Sequence, residues 1–185
     1  MTFYKRPPET VCYGGKEYAL DMRFWRVLAA FDALSDKDLD EYAKLSAFLE
    51  ITCPDGPLDV GLFGAILDVL KDKDVPTGEP PAMDIKADWE YIYAGFIQAY
   101  GIDLYSSDMH WFLFRALLKG LPQGTRMAEI ARIRTEPIPA KASPEARAQL
   151  LKLKARYALN KSGGFQDGLN RLFDAVKAQA ERGTP

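Results

Sequence analysis

The sequence predicts an all-α fold, a single compact domain of several helices that begins with a small β-hairpin. Apolar residues recur at spacings of three and four along most of the 185 residues, which is the period of a helix with one buried face. Two short runs near the start depart from this period and are separated by a glycine pair. Hydrophobic residues make up 48% of the chain, which is enough for a core that needs no metal or disulfide.

The first twenty residues predict the hairpin. We expect residues 1–9 to be a flexible start and residues 10–20 to form two strands, Thr10–Tyr13 and Lys16–Leu20. Gly14-Gly15 lies between the strands, and a Gly-Gly pair adopts the positive φ angles that a two-residue hairpin turn requires.

Two helices are predicted directly after the hairpin. Asp21 is the expected cap of the first, whose apolar stripe extends from Phe24 to Leu34. Ser35 is the expected start of the second, which ends at the prolines and glycine of residues 53–57. We expect the buried side of this second helix to consist of Leu39, Tyr42, Ala43 and Leu49.

A third helix is predicted over residues 58–71. Gly61 and Gly64 lie within it, and they either weaken the helix or mark close packing against a neighbour. The stretch 71–82 contains three prolines, a glycine and charges of both signs, so we expect a linker or long loop there.

Two helices rich in aromatic residues are predicted after this linker. The first has Asp84 as its expected cap, an apolar stripe over residues 89–100, and Gly101 at its left-handed end. For the second, either Ser106 or Ser107 is the expected cap, and its residues are apolar on nearly every side. A helix of that kind is normally buried, so we expect it at the centre of the fold.

Three more helices are predicted in the last third of the chain: Arg126–Thr135, Pro144–Leu159 after a Ser143 cap, and residues 165–182. We expect the helical domain to extend over residues 10–160. Residues 161–185 are expected to form a C-terminal helix that can move relative to that domain.

Charge is distributed unevenly along the chain. Residues 1–125 carry 12 Lys and Arg against 20 Asp and Glu, a net charge of −8, whereas residues 126–185 carry 12 against 6, a net charge of +6. The basic C-terminal helices could face solvent, bind an acidic protein or nucleic acid, or contact the acidic part of their own or a neighbouring copy. The sequence leaves these alternatives open, although a pI of about 5.5 does not favour nucleic acid.

The sole histidine, His110, lies in an acid-rich region, but the spacing there does not fit a metal site. Asp108 and His110 are two residues apart and point to different sides of a helix, whereas ligand pairs need spacings of three or four. Asp84 and Asp88 have that spacing, but both fall in the first turn of a helix, where acids are expected for capping. We expect His110 to be a hydrogen-bonded structural residue.

The sequence contains no serine nucleophile motif, phosphate-binding glycine loop or Cys-His signature. We therefore expect no catalytic residues, no cofactor and no metal, in a protein that is not an enzyme. Cys12 and Cys53 fit no metal or redox spacing, so we expect free thiols in a reducing compartment. Neither a signal peptide nor a run of ~20 apolar residues is present, and we expect a cytoplasmic protein that does not bind a membrane.

Four tyrosines in the aromatic-rich region favour a protein-binding surface. Tyr91, Tyr93, Tyr100 and Tyr105 each carry a hydroxyl that needs a partner or water, and tyrosine is favoured at protein interfaces. We expect this region to supply core residues first and a docking face in part.

The same region resembles a known family. The run from Tyr91 to Leu104, followed by Met109-His110-Trp111, Phe114, Leu117-Leu118 and Gly120-Leu121, is similar to the tailed-bacteriophage family called gene product fifteen. Weaker similarity extends over most of Thr10–Leu159. The chain departs from the family at Ile133, where an aromatic residue is expected, and at Leu113, where lysine is common.

This resemblance implies a protein encoded near the tape-measure gene of a phage or prophage, described as a tail-assembly chaperone or tail-morphogenesis factor. Its implied partner is another tail protein, above all the tape measure, whose exposed apolar stripes need shielding before the tail tube covers them. It would act in the cytoplasm of the bacterial host, and self-association is a further expectation. We predict partner-binding residues at Tyr91, Tyr93, Trp111 and Arg115.

Two alternatives remain. The protein could be a minor structural subunit that stays in the finished phage tail, or a nucleic-acid-binding phage regulator that uses the basic C-terminal helices.

Overall fold

The computed structural model describes residues 6–70 and 82–159 of the chain. Within them an antiparallel hairpin is followed by seven helices, which confirms the predicted all-α class with a small β-hairpin. The elements are β1 (Thr10–Tyr13), β2 (Lys16–Ala19), α1 (Phe24–Ser35), α2 (Glu41–Thr52), α3 (Val60–Leu70), α4 (Trp89–Tyr100), α5 (Trp111–Lys119), α6 (Arg126–Thr135) and α7 (Pro144–Arg156).

Contacts group these residues into two units. Unit 1 contains residues 6–70 and 108–114, and unit 2 contains residues 82–107 and 115–159. Helix α5 therefore contributes its first four residues to unit 1 and the others to unit 2. The predicted domain limits stay predictions. The predicted linker, except for its last residue, and the predicted helix in 161–185 lie outside the described residues.

The hairpin forms as predicted, since Gly14 and Gly15 have φ angles of +57° and +77°. Strand β1 lies against α3, where Tyr13 donates a hydrogen bond of 2.5 Å from its hydroxyl to Asp59. Its ring fills the space beside Gly61, where an added Cβ atom would lie 2.5 Å from the Tyr13 hydroxyl oxygen. Of the two interpretations of Gly61, close packing is confirmed.

Aromatic rings form the core of unit 1. Phe24 of α1 stacks on Phe114 with ring centroids 4.7 Å apart, and Phe48 of α2 meets Phe63 of α3 edge to face at 4.9 Å. All four side chains are almost completely buried. Aromatic pairs in these geometries add about 0.5–1.5 kcal/mol to the stabilisation from burial alone.

The predicted cap of α1 is wrong. The residue before the helix is Arg23, and its side chain makes no capping hydrogen bond. The first helical N–H, of Phe24, donates instead to the carbonyl of Met109, and the N–H of Trp111 donates to the carbonyl of Met22. Asp21 instead accepts hydrogen bonds from the Arg23 side chain, which lowers the pKa of that carboxyl.

The predicted start of α2 is also wrong. Ser35 is the last residue of α1, where its hydroxyl donates to the carbonyl of Phe31, and Asp40 caps α2 by accepting from the N–H of Ala43. Tyr42, in the first turn of the helix, is 68% exposed rather than buried. Leu39 and Ala43 are half-buried, and the buried residues of α2 are Phe48, Leu49 and Thr52.

The starts of α4 and α5 differ from prediction as well. Asp84 accepts from the N–H groups of Lys86 and Ala87, so it caps the turn before α4 and not the helix itself. Helix α5 begins at Trp111, several residues after the predicted serine caps. It is not buried on every side, since Leu113 is exposed. Gly101 ends α4 at a φ of +65°, as predicted.

Unit 2 contains α4, α6 and α7. Helix α6 has the predicted limits and is capped by Thr125, and Ser143 caps α7 as predicted. Helix α7 ends at Arg156, three residues earlier than predicted, and buries none of its residues completely. Neither unit contains a described helix that is long and apolar enough to cross a membrane.

Two glycines of α3 provide a matched test of this packing. We expect Gly61→Ala to lower the free energy of unfolding by about 1–3 kcal/mol, because the new methyl group would displace the Tyr13 ring from Asp59. Gly64→Ala is the control. Nothing lies within 4 Å of its new methyl group, so we expect it to raise stability by about 0.5–1 kcal/mol. Urea denaturation measures both, and equal effects of the two substitutions would contradict the packing.

Candidate functional site

An aromatic corner lies on the surface of unit 2. It consists of Trp89 and Tyr93, one turn apart on α4, and Tyr105 from the segment after that helix. The Tyr105 ring centroid is 4.9 Å from that of Tyr93 and 6.2 Å from that of Trp89, and the Trp89 Nε1–H donates to the Tyr105 hydroxyl at 3.0 Å. Despite these contacts Tyr105 is 74% exposed. The corner therefore presents aromatic surface to solvent in a fixed arrangement.

The chain around Asp103 holds this corner in place. Gly101 reverses the chain after α4, and the side chain of Leu104 is buried. Asp103 then accepts from the N–H of Tyr105 at 3.0 Å and from the hydroxyl of Tyr93 at 3.3 Å, both through Oδ1. Partial burial, with the nearby negative charge of Asp103, raises the pKa of Tyr93.

The structure separates the four residues that the sequence predicts for partner binding. Tyr93 belongs to the aromatic corner, and Tyr91 is exposed on another side of α4. Trp111 is a core residue of unit 1, where its ring packs against Phe31 and Phe114, and Arg115 is half-buried in unit 2. Partner binding by these four residues stays a prediction. Sequence reasoning named Tyr105 among the tyrosines that favour a docking face but did not include it in these four residues.

A buried ion pair fixes the start of α4. Arg134 of α6 donates from Nη1 and Nη2 to the two carboxylate oxygens of Asp88, at 2.6 and 2.8 Å. The Asp88 residue is 2% exposed and the Arg134 side chain 9%. The same guanidinium donates from Nε to the carbonyl of Tyr157 at 2.6 Å and from Nη1 to that of Ala82 at 3.2 Å. One side chain thus joins α6, α4 and the end of α7.

The sequence predicted Asp88 only as an acid of the first helical turn. Its carboxylate in fact makes no capping bond to α4, and it accepts from Arg134 and from the N–H of Asp84. A signal for this pair was present, because Met127, Ile130 and Arg134 share one face of α6 at spacings of three and four. An arginine on a buried face requires an acid nearby.

Several basic residues of the C-terminal part are engaged within unit 2. Besides Arg134, Lys154 of α7 donates to the carbonyls of Ile133 and Arg134, at 2.9 and 2.8 Å. Arg126 donates to the Tyr157 hydroxyl, and its guanidinium lies 5.4 Å from that ring's centroid. These residues connect helices, so only part of the positive charge counted in the sequence faces solvent.

His110 has a structural place in unit 1. Its Nδ1 accepts from the N–H of Phe112 at 3.2 Å, and its Nε2 lies 3.3 Å from the carbonyl of Pro8, which fits the neutral ring with its proton on Nε2. This confirms the predicted hydrogen-bonded role. In residues 6–70 and 82–159 no group of three or more His, Cys, Asp or Glu residues is placed to hold a metal ion.

Comparison with protein-family models matches residues 6–60 and 65–159 to the family described as Bacteriophage Gp15 protein. These ranges hold 55 and 95 residues, so the match covers 150 of the 185 residues. No curated protein and no solved structure matches the chain.

Two arginines of α6 test the buried pair. We expect Arg134→Ala to lower the free energy of unfolding by about 3–5 kcal/mol, because it leaves the buried Asp88 carboxylate without its cation. Arg132→Ala on the same helix is the control, since Arg132 pairs with Glu136 in solvent and its loss costs about 0–1 kcal/mol. Thermal and urea denaturation measure the difference. An Arg134→Ala chain as stable as the Arg132→Ala chain would show that the pair does not hold unit 2 together.

Proposed function

The chain belongs to the bacteriophage Gp15 protein family, and from this premise we propose that it is a tail-assembly chaperone that binds and shields another tail protein, the tape measure. We propose that it works by binding and not by catalysis. The observation that carries the proposal is the aromatic corner, in which ring surface is both held in place by contacts and open to solvent.

The chemistry of the corner suits an apolar helix as its partner. Tyrosine and tryptophan provide a large contact area with few rotatable bonds, so little conformational entropy is lost when a partner covers them. The contacts with Asp103 and between the rings already restrict Tyr93 and Tyr105, which lowers that loss further. A tape-measure protein offers long helices with apolar stripes, which would aggregate if they were left uncovered.

Co-expression with the tape-measure protein of the same phage tests the proposal. We expect the tape measure to become soluble and to co-purify with the wild-type chain. Tyr105→Ala should lower the co-purified amount about tenfold, the effect of losing about 1.4 kcal/mol of binding free energy. Tyr42→Ala is the control, because Tyr42 is also a largely exposed tyrosine but belongs to unit 1.

The outcomes separate the alternatives. A tape measure that neither binds nor becomes soluble would overturn the chaperone function. Detection of the chain in purified phage particles would identify it as a structural tail subunit instead. If Tyr42→Ala and Tyr105→Ala lower co-purification equally, the aromatic corner is not the docking site.

A further inference from the structure

Arginine, an aromatic ring and a carboxylate meet on the surface of unit 1. The guanidinium carbon of Arg23 lies 4.8 Å from the centroid of the Trp25 ring, and Trp25 is 41% exposed. The same guanidinium donates from Nε to the Asp21 carboxylate at 2.9 Å. A guanidinium is attracted both to the negative face of a ring and to a carboxylate, so each of these groups favours the position of the others.

Unit 2 contains the same combination. The guanidinium carbon of Arg126 lies 5.4 Å from the centroid of the Tyr157 ring, and its Nη1 donates to the Glu129 carboxylate at 2.6 Å. Both distances to a ring lie within the ~6 Å over which a cation and an aromatic face attract each other. In each unit, therefore, an arginine lies over a ring and binds an acid at the same time.

The aromatic corner supplies the ring and the carboxylate of this combination. Asp103 accepts from Tyr93 and Tyr105 through Oδ1, so its carboxylate lies beside both rings. Tyr105 is 74% exposed and Asp103 is exposed, so a face of the Tyr105 ring and the carboxylate are both open to solvent. Within the described residues, none of these three side chains forms a hydrogen bond, ion pair or cation–π contact with a lysine or arginine.

The chain around the corner is acidic. Residues 82–107 carry one base, Lys86, and four acids, which gives a net charge of 1 − 4 = −3. The acids are Asp84, Asp88, Glu90 and Asp103. Arg134 neutralises Asp88, which leaves −2. Arg126 interacts with Tyr91, which is two residues from Tyr93 and so lies on nearly the opposite side of α4. A cation that approaches the corner is therefore attracted by the surrounding charge as well.

We infer that the aromatic corner binds an arginine side chain from the helix of its partner, with the guanidinium on the Tyr105 ring and against the Asp103 carboxylate. Arginine suits this surface better than lysine, because its planar guanidinium stacks on a ring while it donates to a carboxylate, and because it is less strongly hydrated. The arginine would lie beside the apolar stripe that covers the rings. The inference rests on the proposed function in that it takes the aromatic corner as the docking surface.

Two helical peptides of about 18 residues test the preference for arginine. Both carry one leucine stripe and neutral polar residues, and they differ only in a central residue beside the stripe, which is arginine in one and citrulline in the other. Citrulline has the planar shape of arginine without its charge. We expect the arginine peptide to bind the full-length chain about tenfold more tightly in fluorescence anisotropy at about 50 mM NaCl. The preference should decrease at about 500 mM NaCl, because salt screens the charges.

Asp103→Asn isolates the contribution of the carboxylate charge. Asparagine keeps an oxygen that can accept from Tyr93 and Tyr105, so the rings keep their arrangement. We expect the affinity for the arginine peptide to fall about three- to tenfold and that for the citrulline peptide to stay the same. Asp38→Asn, at an exposed aspartate of unit 1, is the matched control and should leave both affinities unchanged.

Tyr105→Leu isolates the contribution of the ring. Leucine keeps an apolar side chain but has no aromatic face, so the preference for the arginine peptide should decrease about threefold while the citrulline peptide still binds. Thermal denaturation of each variant checks that it folds like the wild-type chain.

The outcomes separate this inference from the proposed function. Equal binding of the two peptides to the wild-type chain, or binding of neither at about 1 mM peptide, would overturn the arginine site. If the tape measure co-purifies but the peptides bind equally, the chaperone function stands and the arginine site fails. If the arginine peptide is preferred but the tape measure does not bind, the arginine site stands and the chaperone function fails.

Discussion

Asp88 and Arg134 form the contact on which the described part of unit 2 depends. Burying two charges costs more than their attraction returns unless hydrogen bonds satisfy the remaining donors and acceptors. Here the carboxylate accepts three hydrogen bonds and the guanidinium donates four, so the pair is both buried and satisfied. Geometry this specific fixes where α4 begins relative to α6. Trp89 and Tyr93 of the aromatic corner lie on α4, so the pair also fixes the position of these two rings.

Several cations of the C-terminal part of the chain, including Arg134, make contacts within unit 2. Lys154 binds the carbonyls of Ile133 and Arg134 at the end of α6. Arg134 binds the carbonyls of Tyr157 and Ala82, and Arg126 lies on the Tyr157 ring. Cations at a helix C-terminus also interact favourably with the helix dipole. Part of the positive charge in residues 126–159 therefore stabilises unit 2 from within.

The sequence predicts regular elements well where one local signal dominates. The glycine pair predicts the hairpin, and Ser143 and Gly101 predict helix ends, because each residue acts through its own backbone or side chain. Prediction from the sequence fails where the limits of an element depend on groups that are distant along the chain. The start of α1 depends on the Met109 carbonyl, 85 residues away, and no local pattern contains it. The sequence singles out Tyr105 as one of four tyrosines, but it does not predict the contacts of that ring with α4, because they depend on how the chain turns after Gly101.

Two backbone hydrogen bonds affect when unit 1 can fold during synthesis of the chain. They join Phe24 to Met109 and Trp111 to Met22. A ribosome adds roughly 5–20 residues per second, so about 4.5–18 s pass between the synthesis of Phe24 and that of Phe114, 90 residues later. During that interval the Phe24 ring lacks Phe114, its stacking partner. The nascent chain thus exposes apolar surface until the segment is made, and unit 1 can be completed only after residues 82–107 of unit 2 have been translated.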